Sequence, residues 1–141
     1  MLVVAAVIER PDRRILIGQR RKSDTSPLKW EFPGGKVWDG ETPETALARE
    51  LREELGATLR RCVEIARVTH RYAETRTPLE IRFFATEIAE IKIVPAVFEQ
   101  VAWVLPRELS GYDFLAANGR IVADLATGRI KPNELLQTRN S

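Results

Sequence analysis

The chain has 141 residues, 44% of them hydrophobic and 30% charged, the balance of an ordinary soluble domain with one core and no room for two. Its net charge of +2 is too small to argue for a nucleic-acid polymer or a membrane surface as partner. The single cysteine, Cys62, excludes an internal disulfide, points to a reducing, cytoplasmic setting and leaves thiol catalysis unsupported.

The opening MLVVAAVIERPDRR lacks a basic leader and a cleavage site, and its apolar run is far short of the roughly 20 residues that span a bilayer. LVVAAVIE at 2–9 is continuously apolar and β-rich, as in a central strand covered on both faces. RPDRR supplies a turn, and ILIGQR at 15–20 is the expected hairpin partner. RKSDTSPLKWEFPGGK at 21–36 predicts a loop with a short extended piece around Trp30 to Phe32. A helix follows: Thr42 caps it, Pro43 takes the first position, Glu44 meets the positive dipole end and Gly56 stops it. Leu47, Leu51 and Leu55 recur every four residues as its core stripe.

CVEIARVTHRY and LEIRFFATEI predict two strands joined by a turn at AETRTP, and EQVAWVL predicts a third. Pro106 to Leu109 starts a short helical turn, and AANGRIVADLAT closes the fold as an amphipathic helix. The order β-β-loop-α-β-β-β-α implies one α+β domain, a mixed α/β/α sandwich over residues 1–136, with QTRNS at 137–141 as a frayed tail. The lone His70, with no second His or Cys nearby, is read as structural or exposed.

Charge is unevenly spread. Between Glu41 and Glu54 five acids face only Arg49 and Arg52, an acidic patch in a basic surround that suits a metal cation with an anionic substrate. Glu50, Glu53 and Glu54 stand at i, i+3 and i+4 on one helix face bordering the leucine stripe. Three carboxylates so close repel one another, and a hard divalent cation relieves that repulsion; a solvated surface face is the plain alternative.

From Gly35 the chain reads GKVWDGETPETALARELREELGA. This resembles the Nudix box, in which Gly, five residues, Glu and seven residues precede Arg-Glu-apolar-x-Glu-Glu-x-Gly-apolar. Gly35, Glu41, Arg49, Glu50, Leu51, Glu53, Glu54, Gly56 and Ala57 hold those places, Ala57 alone being smaller than usual. The preceding WEFPGG is similar to the MutT-type branch. The resemblance implies the Nudix fold, a mixed sheet between helices carrying a loop–helix–loop motif. It also implies metal-dependent hydrolysis of a nucleoside triphosphate to monophosphate and pyrophosphate.

Carried over by position, the resemblance implies Mg²⁺, with Mn²⁺ as substitute, held by Glu50, Glu53, Glu54 and the carbonyl of Gly34. Arg49, Glu50 and Glu53 would carry the chemistry, Arg49 orienting Glu50 and a carboxylate taking the proton of water. Glu41 would support the loop. Relatives often add an acid six residues before a Trp; here Val97 stands six before Trp103, and Glu99, the nearest acid, is the candidate substitute metal ligand, a surface place at a strand start being the equal reading. Arg20 in GQRR, Phe32 and Lys36 fall with substrate contacts. Asn118 falls where the branch reads a purine edge, although a helix N-cap is an equal reading. Val3, Ala5, Leu79 and Ile81 offer an apolar base pocket or plain core.

The implied substrate is oxidised dGTP, 8-oxo-dGTP. CTP, dCTP or a modified pyrimidine is the runner-up, and Asn118 tilts the choice to purine. A non-catalytic Nudix-fold nucleotide sensor is the reading of another class, disfavoured because every box glutamate is kept. No membrane or nucleic-acid polymer partner is expected. The chain is expected to be a monomer or a homodimer, with no extra N-terminal region for a swapped dimer.

Overall fold

Strand β1 (Leu2–Ile8) runs through the middle of the computed structural model and divides the core between its two faces. The structure describes residues 1–71, 77–89, 91–92 and 97–139. Side chains alternate along a strand, so Val4, Ala6 and Ile8 pack with the first helix while Ala5 and Val7 face the opposite cluster. Helix α1 (Pro43–Leu55) buries Ala46, Leu47, Leu51 and Leu55 on the first face. Helix α2 (Gly119–Ala126) buries Ile121, Val122 and Leu125 on the second. The result is the expected α/β/α layering.

Two sheets replace the single one expected. The first has the order β4 (Gly34–Lys36), β1, β6 (Leu79–Ala89), β5 (Thr58–His70), with β1 parallel to β6 and the other pairs antiparallel. The second has β3 (Trp30–Glu31), β2 (Ile15–Gln19) and β7 (Gln100–Val104), all antiparallel. The predicted β1–β2 hairpin is therefore corrected. The chain does turn back, the Arg10 N–H donating to the Arg14 carbonyl at 2.8 Å, but Glu9 and Ile15 form a single bridge and the strands then enter different sheets. The turn expected at AETRTP falls for the most part outside the described residues.

Helix α1 begins and ends as its sequence requires. The Thr42 hydroxyl accepts the Thr45 N–H at 3.1 Å, and Pro43 needs no partner for an absent N–H. Gly56, at φ 59°, closes the helix with its N–H on the Arg52 carbonyl at 3.1 Å. The expected closing helix divides into a 3₁₀ turn, Ala116–Asn118, followed by α2.

A further helix, α3 (Pro132–Arg139), occupies part of the stretch read as a frayed tail. Buried Glu9 anchors it: one carboxylate oxygen accepts the Asn133 N–H at 3.0 Å, the other accepts Arg13 at 3.0 Å, and the Asn133 amide donates to the Glu9 carbonyl at 3.0 Å. Leu136 is its buried apolar contact. No helix among the described residues is long and apolar enough to cross a membrane.

The leucine stripe makes a direct prediction. Leu51 is fully buried, so Leu51→Ala should cost about 2–5 kcal/mol through lost transfer energy and the cavity left behind. Urea unfolding should show a lower midpoint with an unchanged slope; an unchanged midpoint would mean the helix is not seated by this stripe.

Candidate active site

The box helix turns its three glutamates to different fates. At about 100° per residue, Glu54 lies about 60° from the centre of the leucine stripe, Glu50 about 100° and Glu53 about 160°. The side chains follow that order. Glu54 is turned into the protein and accepts the Gly34 N–H at 2.8 Å. Glu50 is largely covered, 14% exposed at the side chain, whereas Glu53 is 54% exposed. The expected triad of ligands is thus gathered only in part. Among the described residues no three His, Cys, Asp or Glu side chains are grouped closely enough to hold a cation as they stand.

Arg49 organises the carboxylates. Its Nε and Nη2 donate to the two oxygens of Glu41 at 2.8 and 3.0 Å, Nη1 donates to Glu50 at 2.9 Å, and Nη2 also reaches the Lys36 carbonyl at 2.9 Å. The i,i+4 contact to Glu53 is longer, 3.5 Å. Glu41 in turn accepts the Trp38 N–H at 2.8 Å and so braces the loop before α1, the supporting place expected of it. The Arg49 hydrogen bonds hold the Glu41 carboxyl below the usual range, and Glu41 foremost raises the Arg49 guanidinium above its usual value.

Electrostatics on the inner side run the other way. Burial, then the charge of Glu50, pushes Glu54 up to about 9, against the lowering effect of the Gly34 N–H. Burial also raises Glu50, with Arg49 opposing it, and raises Glu31, with Arg20 opposing it. Two glycines make the approach possible. A Cβ on Gly35 would strike the Glu50 carboxylate, and one on Gly34 would strike the Val4 carbonyl. Crowded, buried oxygen donors without enough cations of their own fit a hard divalent cation.

Glu54, alone of the three box glutamates, lines a cleft of about 660 Å³. Its lining includes Gly34, Gly35, Lys36 and Glu54 together with Phe32, Leu79, Ile81 and Asn118. Val3 and Ala5 join the wall, so the four expected pocket residues meet there. Arg20 lies along it, held by Glu31 at 3.1 Å and by the Thr25 carbonyl and hydroxyl at 2.7 and 3.0 Å. Phe32 is mainly core, stacked on Phe114 at 5.3 Å and edge-on to Phe83 at 6.1 Å. Asn118 is 4% exposed and stands at the N-cap position of α2, without a side-chain capping bond. It is one of the residues that line the cleft.

Glu99 stands apart. It is exposed at the entry to β7 and does not line the cleft, whereas Val97 does, so the place searched for an acid is apolar. Two residues escaped the sequence reading. Glu31 lines the cleft close enough to Glu54 to raise its pKa, a position that alternation with buried Trp30 and Phe32 could have signalled. Trp38, 56% exposed, covers the Arg49 guanidinium at 3.5 Å, and no sequence signal marks that contact.

These shifts set a pH dependence. A carboxyl that titrates near 9 when folded and near its usual 4.5 when unfolded binds more protons in the folded state between those values. Stability of the metal-free protein should therefore fall as pH rises through that window. The lowered Asp12 and Glu41 act below the usual carboxylate range and do not offset it. Thermal melts should give a lower Tm at pH 8 than at pH 5.5, with Mn²⁺ restoring more at pH 8; a flat metal-free profile would contradict the burial of Glu54.

Comparison with known proteins agrees with this architecture. Residues 1–125 match the model of the NUDIX domain. The 8-oxo-dGTP diphosphatase of Proteus vulgaris is 39% identical over 85 residues, 60% of this chain and 75% of that protein. The CTP pyrophosphohydrolase of Escherichia coli (strain K12) is 56% identical over 54 residues, 38% of this chain and 39% of that protein. A solved structure from work on MutT of Aliivibrio salmonicida and Vibrio cholerae is similar at a TM-score of 0.75 and 29% identity, covering 89% of this chain and 96% of that one. With the box, the fold and the cleft in place, the chain belongs to the Nudix family and is a MutT-like Nudix hydrolase.

Proposed function

We propose that this hydrolase cleaves a nucleoside triphosphate to the monophosphate and pyrophosphate with the help of Mg²⁺, or Mn²⁺ in its place, and that 8-oxo-dGTP is its preferred substrate. The observation that carries the proposal is one cleft whose lining brings together Glu54, Gly34, Arg20 and the buried Asn118. Polyphosphate and base can then be recognised together.

Glu50 and Glu54, with Glu53 and the Gly34 carbonyl, are the residues that would hold the cation. Bound there, a divalent ion neutralises phosphate oxygens and acidifies water. Arg49 keeps Glu50 in one orientation through the 2.9 Å bond, and a box carboxylate accepts the proton of the attacking water. Arg20 and Lys36 supply positive charge along the phosphates. The Asn118 amide, donor and acceptor at once, suits a base edge that offers both. Glu99, which is not among the cleft-lining residues, is given no role in this scheme. The unpaired Cys62 agrees with a cytoplasmic setting.

The 56% identity to a CTP pyrophosphohydrolase supports a second reading, a pyrimidine substrate in the same cleft. A panel of dGTP, 8-oxo-dGTP, CTP and dCTP ranked by kcat/KM separates the two. The proposal expects 8-oxo-dGTP to lead. Equal rates for dGTP and 8-oxo-dGTP, or a lead for CTP, would reject it, and binding without turnover would indicate a sensor. Glu54→Gln should lower turnover by roughly 10²-fold or more while the protein stays folded. Asn118→Ala should cost about tenfold in kcat/KM for the preferred base and much less for poor substrates.

A further inference from the structure

Trp38 is the most exposed of the large apolar side chains described, yet it is not idle: its ring lies 3.5 Å from the Arg49 guanidinium carbon. We propose that Trp38 is a positioning residue, holding Arg49 flat so that Arg49 can hold the Glu50 carboxylate at the cation site. The proposal rests on the function proposed above.

The geometry separates two kinds of restraint. Arg49 donates in its own plane to Glu41, Glu50 and the Lys36 carbonyl. Those bonds fix the guanidinium within the plane and resist tipping out of it only weakly, because their angular dependence is soft near linearity. The ring of Trp38 blocks tipping on one face and keeps water from it, and a guanidinium over an indole is attracted by the ring quadrupole. The backbone that carries the ring is itself held. The Trp38 N–H donates to Glu41 at 2.8 Å and its carbonyl accepts the Glu41 N–H at 3.0 Å. Trp38, through its ring on one side and its backbone on the other, thus closes a bracket with the Arg49 guanidinium and Glu41.

The bracket matters because Glu50 has one side-chain hydrogen bond among the described residues, the one from Arg49. The carboxylate also packs directly against Gly35, which has no side chain to steer it. Loosening Arg49 therefore loosens Glu50 directly.

The test compares Trp38→Ala, Trp38→Leu and Trp38→Phe, alone and on an Arg49→Ala background. The first readout is Mn²⁺ affinity of the folded protein without nucleotide. Trp38→Ala should weaken it about three- to tenfold, Trp38→Phe should recover most of the loss, and Trp38→Leu should recover less. On Arg49→Ala the same replacement should change nothing, since the bracket is already open. With the best nucleoside triphosphate, Trp38→Ala should lower kcat by a similar factor and leave KM within about twofold.

Unchanged Mn²⁺ affinity in Trp38→Ala, or the same loss with Arg49 absent, would overturn the proposal. So would a loss confined to KM, which would make Trp38 a substrate contact. Should Trp38→Ala fail to fold, the Leu and Phe variants decide by the same comparison. Should the wild type turn over no nucleoside triphosphate, the proposed function fails while Mn²⁺ affinity still decides whether Trp38 positions Glu50.

Discussion

The guanidinium of Arg49 ties together three stretches of chain: the end of β4 through the Lys36 carbonyl, the loop before α1 through Glu41, and α1 itself through Glu50. A planar fork can do this where an ammonium cannot, because its donors leave in fixed directions toward several acceptors at once. The bond to Glu50 sets the carboxylate against Gly35, and the bonds to Glu41 set the loop that carries Trp38. The shape of the box around the cleft depends on that one side chain being where it is.

Its position has an energetic counterpart inside the protein. Glu54 and Glu50 are carried under the surface by the same helix whose leucines seat it, and burial opposes their ionisation. A fold selected for stability alone would place apolar residues there. Keeping two acids beside glycines that leave room for them makes sense when an outside cation completes the charge balance. Unfavourable burial and function meet at this point, and the proposed hydrolysis follows from what such a cation does to a polyphosphate.

Much of this was legible beforehand where the cause is local. The cap at Thr42, the proline at the first helical position, the leucine repeat and the left-handed stop at Gly56 are all short-range, and α1 runs between the expected bounds. The pocket wall of Val3, Ala5, Leu79 and Ile81 was anticipated as well, though only the tertiary fold separates pocket from core. Long-range choices were hidden. Strand β1 takes β6 as parallel neighbour across most of the chain, so adjacency to β2 was misleading. Strand β4 begins with two glycines and shows no side-chain alternation to read. Helix α3 has little amphipathic signal and is secured by Glu9, more than a hundred residues earlier. Within the site, spacing put three glutamates on one face, but only their angle to the leucine stripe explains why Glu53 looks outward.

Calorimetric titration of metal-free protein with Mn²⁺ near pH 7.5, repeated in buffers of different ionisation enthalpy, bears most directly on this site. It counts the protons displaced as each cation binds. With Glu54 pushed up to about 9, binding should release about one proton per ion, and Glu54→Gln should abolish most of that release. Binding to the folded wild type with no proton release, or no binding at all, would contradict the claim that these buried carboxylates are kept for a divalent cation.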